Sequence, residues 1–200
     1  MRKLLTAAAL LLAVTLAPAH ALDLQGRLVQ GGMVIGTVTP GSEVTLDGSA
    51  VAVNDNGRFV IGFGRDYKDS ALLAVIDPQT DEQDIMPLVI EPRDYDIQRI
   101  DGLPPGKVTG FSEATLKRIR AENAQVASAR ANTKRADNFL ESFIWPVKGR
   151  ISGVYGSQRV LNGEPRRPHF GIDIAAPTGT PIVAPAGGTV VLAEKDHFFT

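Results

Sequence analysis

Residues 44–64 read VTLDGSAVAVNDNGRFVIGFG, and this stretch decides the fold class. Val44-Thr45-Leu46 runs into Asp47-Gly48, a dipeptide suited to a two-residue hairpin because both turn positions take positive φ. Val51-Ala52-Val53 follows as the return strand, and Asn54-Asp55-Asn56-Gly57 is a second turn. From Arg58 to Gly64 the apolar residues Phe59, Ile61 and Phe63 alternate, which puts them on one face of a strand. Asp47 and Asp55 have the chemistry of calcium ligands. Short acidic side chains in turns bond their own backbone, so the turn role is preferred.

The same pattern extends in both directions. Leu24 to Gln30 precedes Gly31-Gly32, and Met33 to Thr39 is strand-like and ends at Pro40-Gly41. Ala71 to Ile76 and Ile85 to Ile90 read as further strands, with Pro87 pointing to an edge because proline cannot donate to a ladder. Strands spaced by about ten residues predict a small antiparallel β-sandwich over residues 22–103. No cluster of catalytic residue types lies in it, so binding, spacing or covering is its expected work.

Leu103-Pro104-Pro105-Gly106 marks a boundary, and residues 104–144 read as a linker and a long connector helix. Ser112 is the expected N-cap, with Glu113 in the first turn. No Gly or Pro occurs from there to Phe143. The apolar positions Leu116, Ile119, Val126, Leu140 and Phe143 are sparse, which predicts a narrow buried stripe. The many Lys, Arg, Glu and Asp residues read as a solvated face.

The whole chain has 200 residues, 44% hydrophobic and 22% charged, which suits one or two domains. A net charge of −1 excludes a protein that finds nucleic acid by charge alone, and no nucleic-acid partner is expected. The absence of cysteine excludes a disulfide framework, a thiolate metal site and a cysteine nucleophile. Residues 1–21 read as a secretory signal peptide: Arg2 and Lys3, an apolar run from Leu4 to Leu16, then Ala19-His20-Ala21. The run is shorter than the roughly 20 residues that span a bilayer. Cleavage after Ala21 is expected, which lowers the net charge from −1 to −3 by removing Arg2 and Lys3. A periplasmic or secreted protein follows, without a later transmembrane segment.

Residues 145–200 hold the chemistry. Trp145-Pro146-Val147 ends the helical pattern, and Arg150 to Gly156 begins a β-rich segment. A loop follows, and strands are expected at Ile182-Val183-Ala184 and from Thr189 to Ala193. The central run is Pro168-His169-Phe170-Gly171-Ile172-Asp173-Ile174-Ala175-Ala176-Pro177. His and Asp both ligate zinc. Gly171, the β-branched Ile172 and Ile174, and Pro177 argue against helix. On a flat strand a spacing of four extends about 13 Å. That is too far for two ligands each about 2 Å from one ion. The segment must therefore bend if it binds metal, and Gly171 is the residue that permits a bend.

The ordered motifs from Trp145 to Ala193 resemble the lysostaphin-type (LytM-like) zinc metallopeptidases of bacterial cell-wall metabolism. The resemblance is carried by Trp145-Pro146-Val147, Ser152 to Gly156 with Arg159, and His169, Gly171 and Asp173. Pro177-Thr178-Gly179-Thr180-Pro181-Ile182-Val183-Ala184 and Gly188-Thr189-Val190-Val191 complete it. Gly156-Ser157-Gln158-Arg159 departs from the family pattern by one extra residue before Arg159. The fold class this implies is mainly β: the sandwich, the connector helix, then the first part of a LytM-like peptidase domain.

The resemblance implies that His169 and Asp173 are two ligands of a zinc ion (Zn2+). The third would come from a His-x-His motif, whose first histidine assists proton transfer. No such motif occurs up to Thr200, so the catalytic pair is expected beyond it, with the present chain a truncated and inactive piece. His197 is a substitute third ligand on paper, in a position matching a variable turn. Arg159 would contact substrate or brace its loop, with bracing favoured, and Tyr155 would pack. Peptidoglycan is the implied partner, through cleavage of its peptide cross-links. The alternative is a non-catalytic regulator acting on other cell-wall hydrolases or division proteins. A third reading makes the sandwich the working part, as a wall- or protein-binding module.

Overall fold

The computed structural model describes residues 22–104, 110–131 and 137–198. The expected signal peptide lies outside them, as do residues 105–109 of the linker and 132–136 of the expected helix.

The described chain is mainly β, with one α-helix. Strands β1 (Asp23–Gly26), β2 (Met33–Thr37) and β5 (Arg58–Gly62) form one antiparallel sheet in the order β1-β2-β5. Strands β3 (Glu43–Leu46), β4 (Ser49–Val51), β6 (Ser70–Ile76) and β7 (Gln83–Val89) form a second, ordered β4-β3-β6-β7. The two sheets share one core, to which Val34, Val44, Phe59, Ile61, Leu73 and Leu88 contribute. Phe59 is fully buried, and Ile61 and Phe63 are buried beside it, as the alternation from Arg58 requires. Gly36 faces the Phe59 ring so closely that a Cβ would overlap it. As its proline implied, β7 lies at the sheet edge.

Asp47 and Gly48 turn the β3–β4 hairpin with φ of 49° and 77°. The Asp47 carboxylate also accepts from the Leu72 N–H at 2.8 Å and the Tyr67 hydroxyl at 2.7 Å. These bonds hold its carboxyl below the usual carboxylate range. Burial, then the bond to Asp47, pushes Tyr67 up to about 12. In the next turn the Asn54 side-chain oxygen accepts from the Asn56 and Arg58 N–H groups.

Helix α1 (Glu113–Ala131) starts as expected: the Ser112 hydroxyl accepts from the Thr115 N–H at 3.2 Å. It buries no residue fully, and Leu116, Ile119 and Val126 are half-buried. It holds the segment from Asp196 to Phe198 by polar contacts. Glu122 accepts from the Phe198 N–H and from Arg118, and Arg118 also reaches the Asp196 carbonyl. Those two donors hold the Glu122 carboxyl low, the Phe198 N–H having the larger effect. The expected continuation of the helix to Phe143 is corrected: Asp137–Leu140 is a 3-10 turn, and Leu140 and Phe143 are exposed.

Two further expectations are corrected. Residues 157–168 are not simply a loop, because β10 (Gln158–Leu161) and β11 (Glu164–Pro165) form a hairpin turned by Asn162-Gly163, both at positive φ. Strand β8 (Ile97–Ile100) runs parallel to β10, so a strand on the sandwich side of Leu103 pairs with the later segment. Conversely, Ile182–Ala184 and Thr189–Ala193 form no strands. Strand propensity needs a partner ladder to be expressed. Among the described residues the backbone bonds here are Val183 N–H to Pro146 and Ile144 N–H to Pro185. Ile182 and Val190 stay 76% and 82% exposed.

Phe59→Ala is expected to cost about 3–5 kcal/mol, read from denaturant unfolding of the intact chain. A cost under about 1 kcal/mol would show that the shared core is not as described. Asp47 is depressed in the folded state, so its stabilisation is present above the unfolded carboxylate pKa and lost as pH falls through the folded value. Asp47→Ala should therefore flatten the decline of stability below about pH 4. An acid limb identical to wild type would refute this.

Candidate metal centre

His169 and Asp173 come together. Strand β9 (Arg150–Gly153) pairs antiparallel with β12 (Asp173–Ala175), and Asp173 opposes Gly153 while Ile174 opposes Ile151. Ser152 is therefore the extra residue of a bulge, and bulges re-aim side chains. The chain bends at Gly171, between the two side chains. His169 Nε2 then lies 3.3 Å from Asp173 Oδ1. The flat-strand separation of about 13 Å is abolished.

The turn at Val154–Ser157 seats the histidine. The His169 N–H donates to the Ser157 carbonyl at 2.8 Å, and its carbonyl accepts from the Gly156 N–H at 2.7 Å. Its ring Nδ1 stands 3.3 Å from the Val154 carbonyl. The Val154 carbonyl also accepts from the Ser157 hydroxyl at 2.9 Å. Nε2 is the ring nitrogen that faces the Asp173 carboxylate. Gly153 leaves room for the carboxylate, since a Cβ there would strike Asp173.

The donor set fits zinc in part. Ligands about 2.0–2.2 Å from a tetrahedral ion are about 3.4 Å apart, close to the spacing of this pair. Asp173 is 62% exposed and His169 34%, so incoming groups can reach both. Among the described residues no third His, Cys, Asp or Glu joins them. His197 is elsewhere, bonded through Nε2 to Gln125 of α1 at 3.1 Å.

The pair borders a cleft of about 650 Å³ that Arg159, Arg166, Arg167 and Gln98 also line. Arg159 lies on β10 and is exposed, and its carbonyl accepts from the Arg166 N–H. Arg167 stacks on the Phe170 ring, 5.4 Å from its centre. Tyr155 packs, with its ring 6.2 Å from Phe170 and 6.4 Å from Tyr95. Sequence reasoning missed Gly153, the Val154 carbonyl and the Asn162-Gly163 hairpin. Of these, the hairpin had a readable signal in the Asn-Gly dipeptide.

No protein-family model matches this chain, and no curated protein matches it. No helix among the described residues is long and apolar enough to cross a membrane.

Gly153→Ala should displace the Asp173 carboxylate and, if the pair holds zinc, weaken that binding about 10–100-fold, the scale for neighbours of metal ligands. Calorimetric titration of the full chain checks this, and wild-type affinity in the variant would refute the seating of Asp173.

Proposed function

We propose that His169 and Asp173 are two protein ligands of a zinc site in a cell-envelope metalloendopeptidase directed at peptidoglycan cross-links. The observation that carries this reading is the convergence of Nε2 and Oδ1 at 3.3 Å within motifs resembling the lysostaphin-type family. An exposed His–Asp ion pair is worth only about 0–1 kcal/mol. A bulge and a bend spent on such a pair make more sense as a ligand site than as a stability device.

Zinc bound there would supply a Lewis acid and an acidified water. The chain's own residues would hold and frame that ion. The Val154 carbonyl fixes the imidazole, leaving Nε2 for the ion. Gly153 admits the carboxylate. Arg159, Arg166 and Arg167 give the cleft a positive wall suited to the carboxylates of a peptide substrate. A signal peptide over residues 1–21 would deliver the protein to the periplasm or beyond.

A second reading is a non-catalytic regulator of other wall hydrolases; among the described residues only two candidate ligands converge, against the three of a usual catalytic zinc site.

Titration with Zn2+ should show binding that His169→Ala and Asp173→Asn each weaken at least about tenfold. Equal affinity in all three proteins would remove the metal reading. Purified sacculi mixed with the 200-residue chain and zinc should not lose turbidity, because among the described residues no third ligand joins His169 and Asp173. Clearing would show that the described residues already suffice.

A further inference from the structure

Arg65 is a cation only 8% exposed, three residues past the end of β5. A buried guanidinium is costly unless its donors are engaged. Its Nε donates to the Gly156 carbonyl at 2.7 Å, across 91 residues of chain. One terminal nitrogen reaches the Gln158 side-chain oxygen at 3.3 Å, and the other pairs with Asp66. The guanidinium lies over the Tyr95 ring, 4.6 Å from its centre.

Gly156 is shaped for this contact. It holds a φ of 86°, and a Cβ there would collide with the Tyr95 ring. The neighbouring Tyr155 presses its ring against Gly31 of the sandwich, where a Cβ would come within 2.7 Å. The sandwich therefore grips the Val154–Ser157 turn at two adjacent residues. That turn supplies every bond that seats His169: the Gly156 N–H, the Ser157 carbonyl and the Val154 carbonyl. The Ser157 N–H closes the turn on the same Val154 carbonyl.

We propose that Arg65 is a positioning residue for His169. By holding the Gly156 carbonyl it keeps the turn, and with it the imidazole, aimed at Asp173. On this view the sandwich is a structural part of the candidate metal centre rather than a separate module. The proposal rests on the metal reading for its affinity readout, but its geometric content is independent of it.

The test uses the full chain in four forms: wild type, Arg65→Met, Arg65→Lys and His169→Gln. Arg65→Met keeps a long apolar stem and removes every donor. Arg65→Lys restores a cation with one donor for Gly156. Two quantities are read: the zinc dissociation constant by chelator competition, and the His169 ring 15N shifts in metal-free protein, assigned by their loss in His169→Gln.

Arg65→Met is expected to weaken zinc binding about tenfold or more and to move the His169 shifts. Arg65→Lys should lie between it and wild type in both. Wild-type zinc affinity together with wild-type His169 shifts in Arg65→Met overturns the proposal, whatever happens to stability. If Arg65→Met does not fold, Arg65→Lys decides: intermediate values support positioning and wild-type values overturn it. If wild type and His169→Gln bind zinc equally, the metal reading fails, and the 15N shifts alone judge Arg65.

Discussion

An imidazole has two nitrogens, and in this protein the backbone claims one of them. The Val154 carbonyl lies 3.3 Å from His169 Nδ1, while the same turn bonds both main-chain groups of His169. Nε2 is thereby left facing Asp173, 3.3 Å from its Oδ1, and the candidate centre is defined by that one juxtaposition.

That seating is built from the far side of the molecule. The sandwich core, closed over Phe59, sets the end of β5, and Arg65 follows within three residues. Its buried guanidinium meets the Gly156 carbonyl, and Tyr95 and Tyr155 fill the space around that contact. The parallel pairing of β8 with β10 adds a second tie between the two parts of the chain. Helix α1 contributes differently. It buries nothing fully and instead holds Asp196 to Phe198 through Arg118, Glu122 and Gln125. Such exposed contacts are weak individually.

Much of the sandwich was legible because its signals are local. Asp47-Gly48 turns a hairpin whatever surrounds it, and the Ser112 hydroxyl caps a helix starting one residue later. Phe59, Ile61 and Phe63 announce a buried face by alternation alone. The errors came where a local signal needed a distant partner. Ile182–Ala184 and Thr189–Ala193 have strand composition, yet no strand lies alongside them among the described residues. Ile97–Ile100 has weaker composition and is a strand because β10 lies beside it. For the site, spacing alone was a weak signal and the family resemblance singled out His169 and Asp173; what the structure adds is that the chain bends at Gly171 and brings the two side chains within 3.3 Å.

Read as a string, then, the chain already specified its turns, its helix cap and the alternating core face. All of these depend on residues within a few positions of one another. Which nitrogen of His169 faces Asp173, how close it comes, and that Arg65 meets the Gly156 carbonyl of the adjoining turn were settled by folding. Those facts depend on carbonyls and rings brought together across tens of residues. A period of two or a spacing of four names a face or a candidate, but carries no information about what will be placed opposite it.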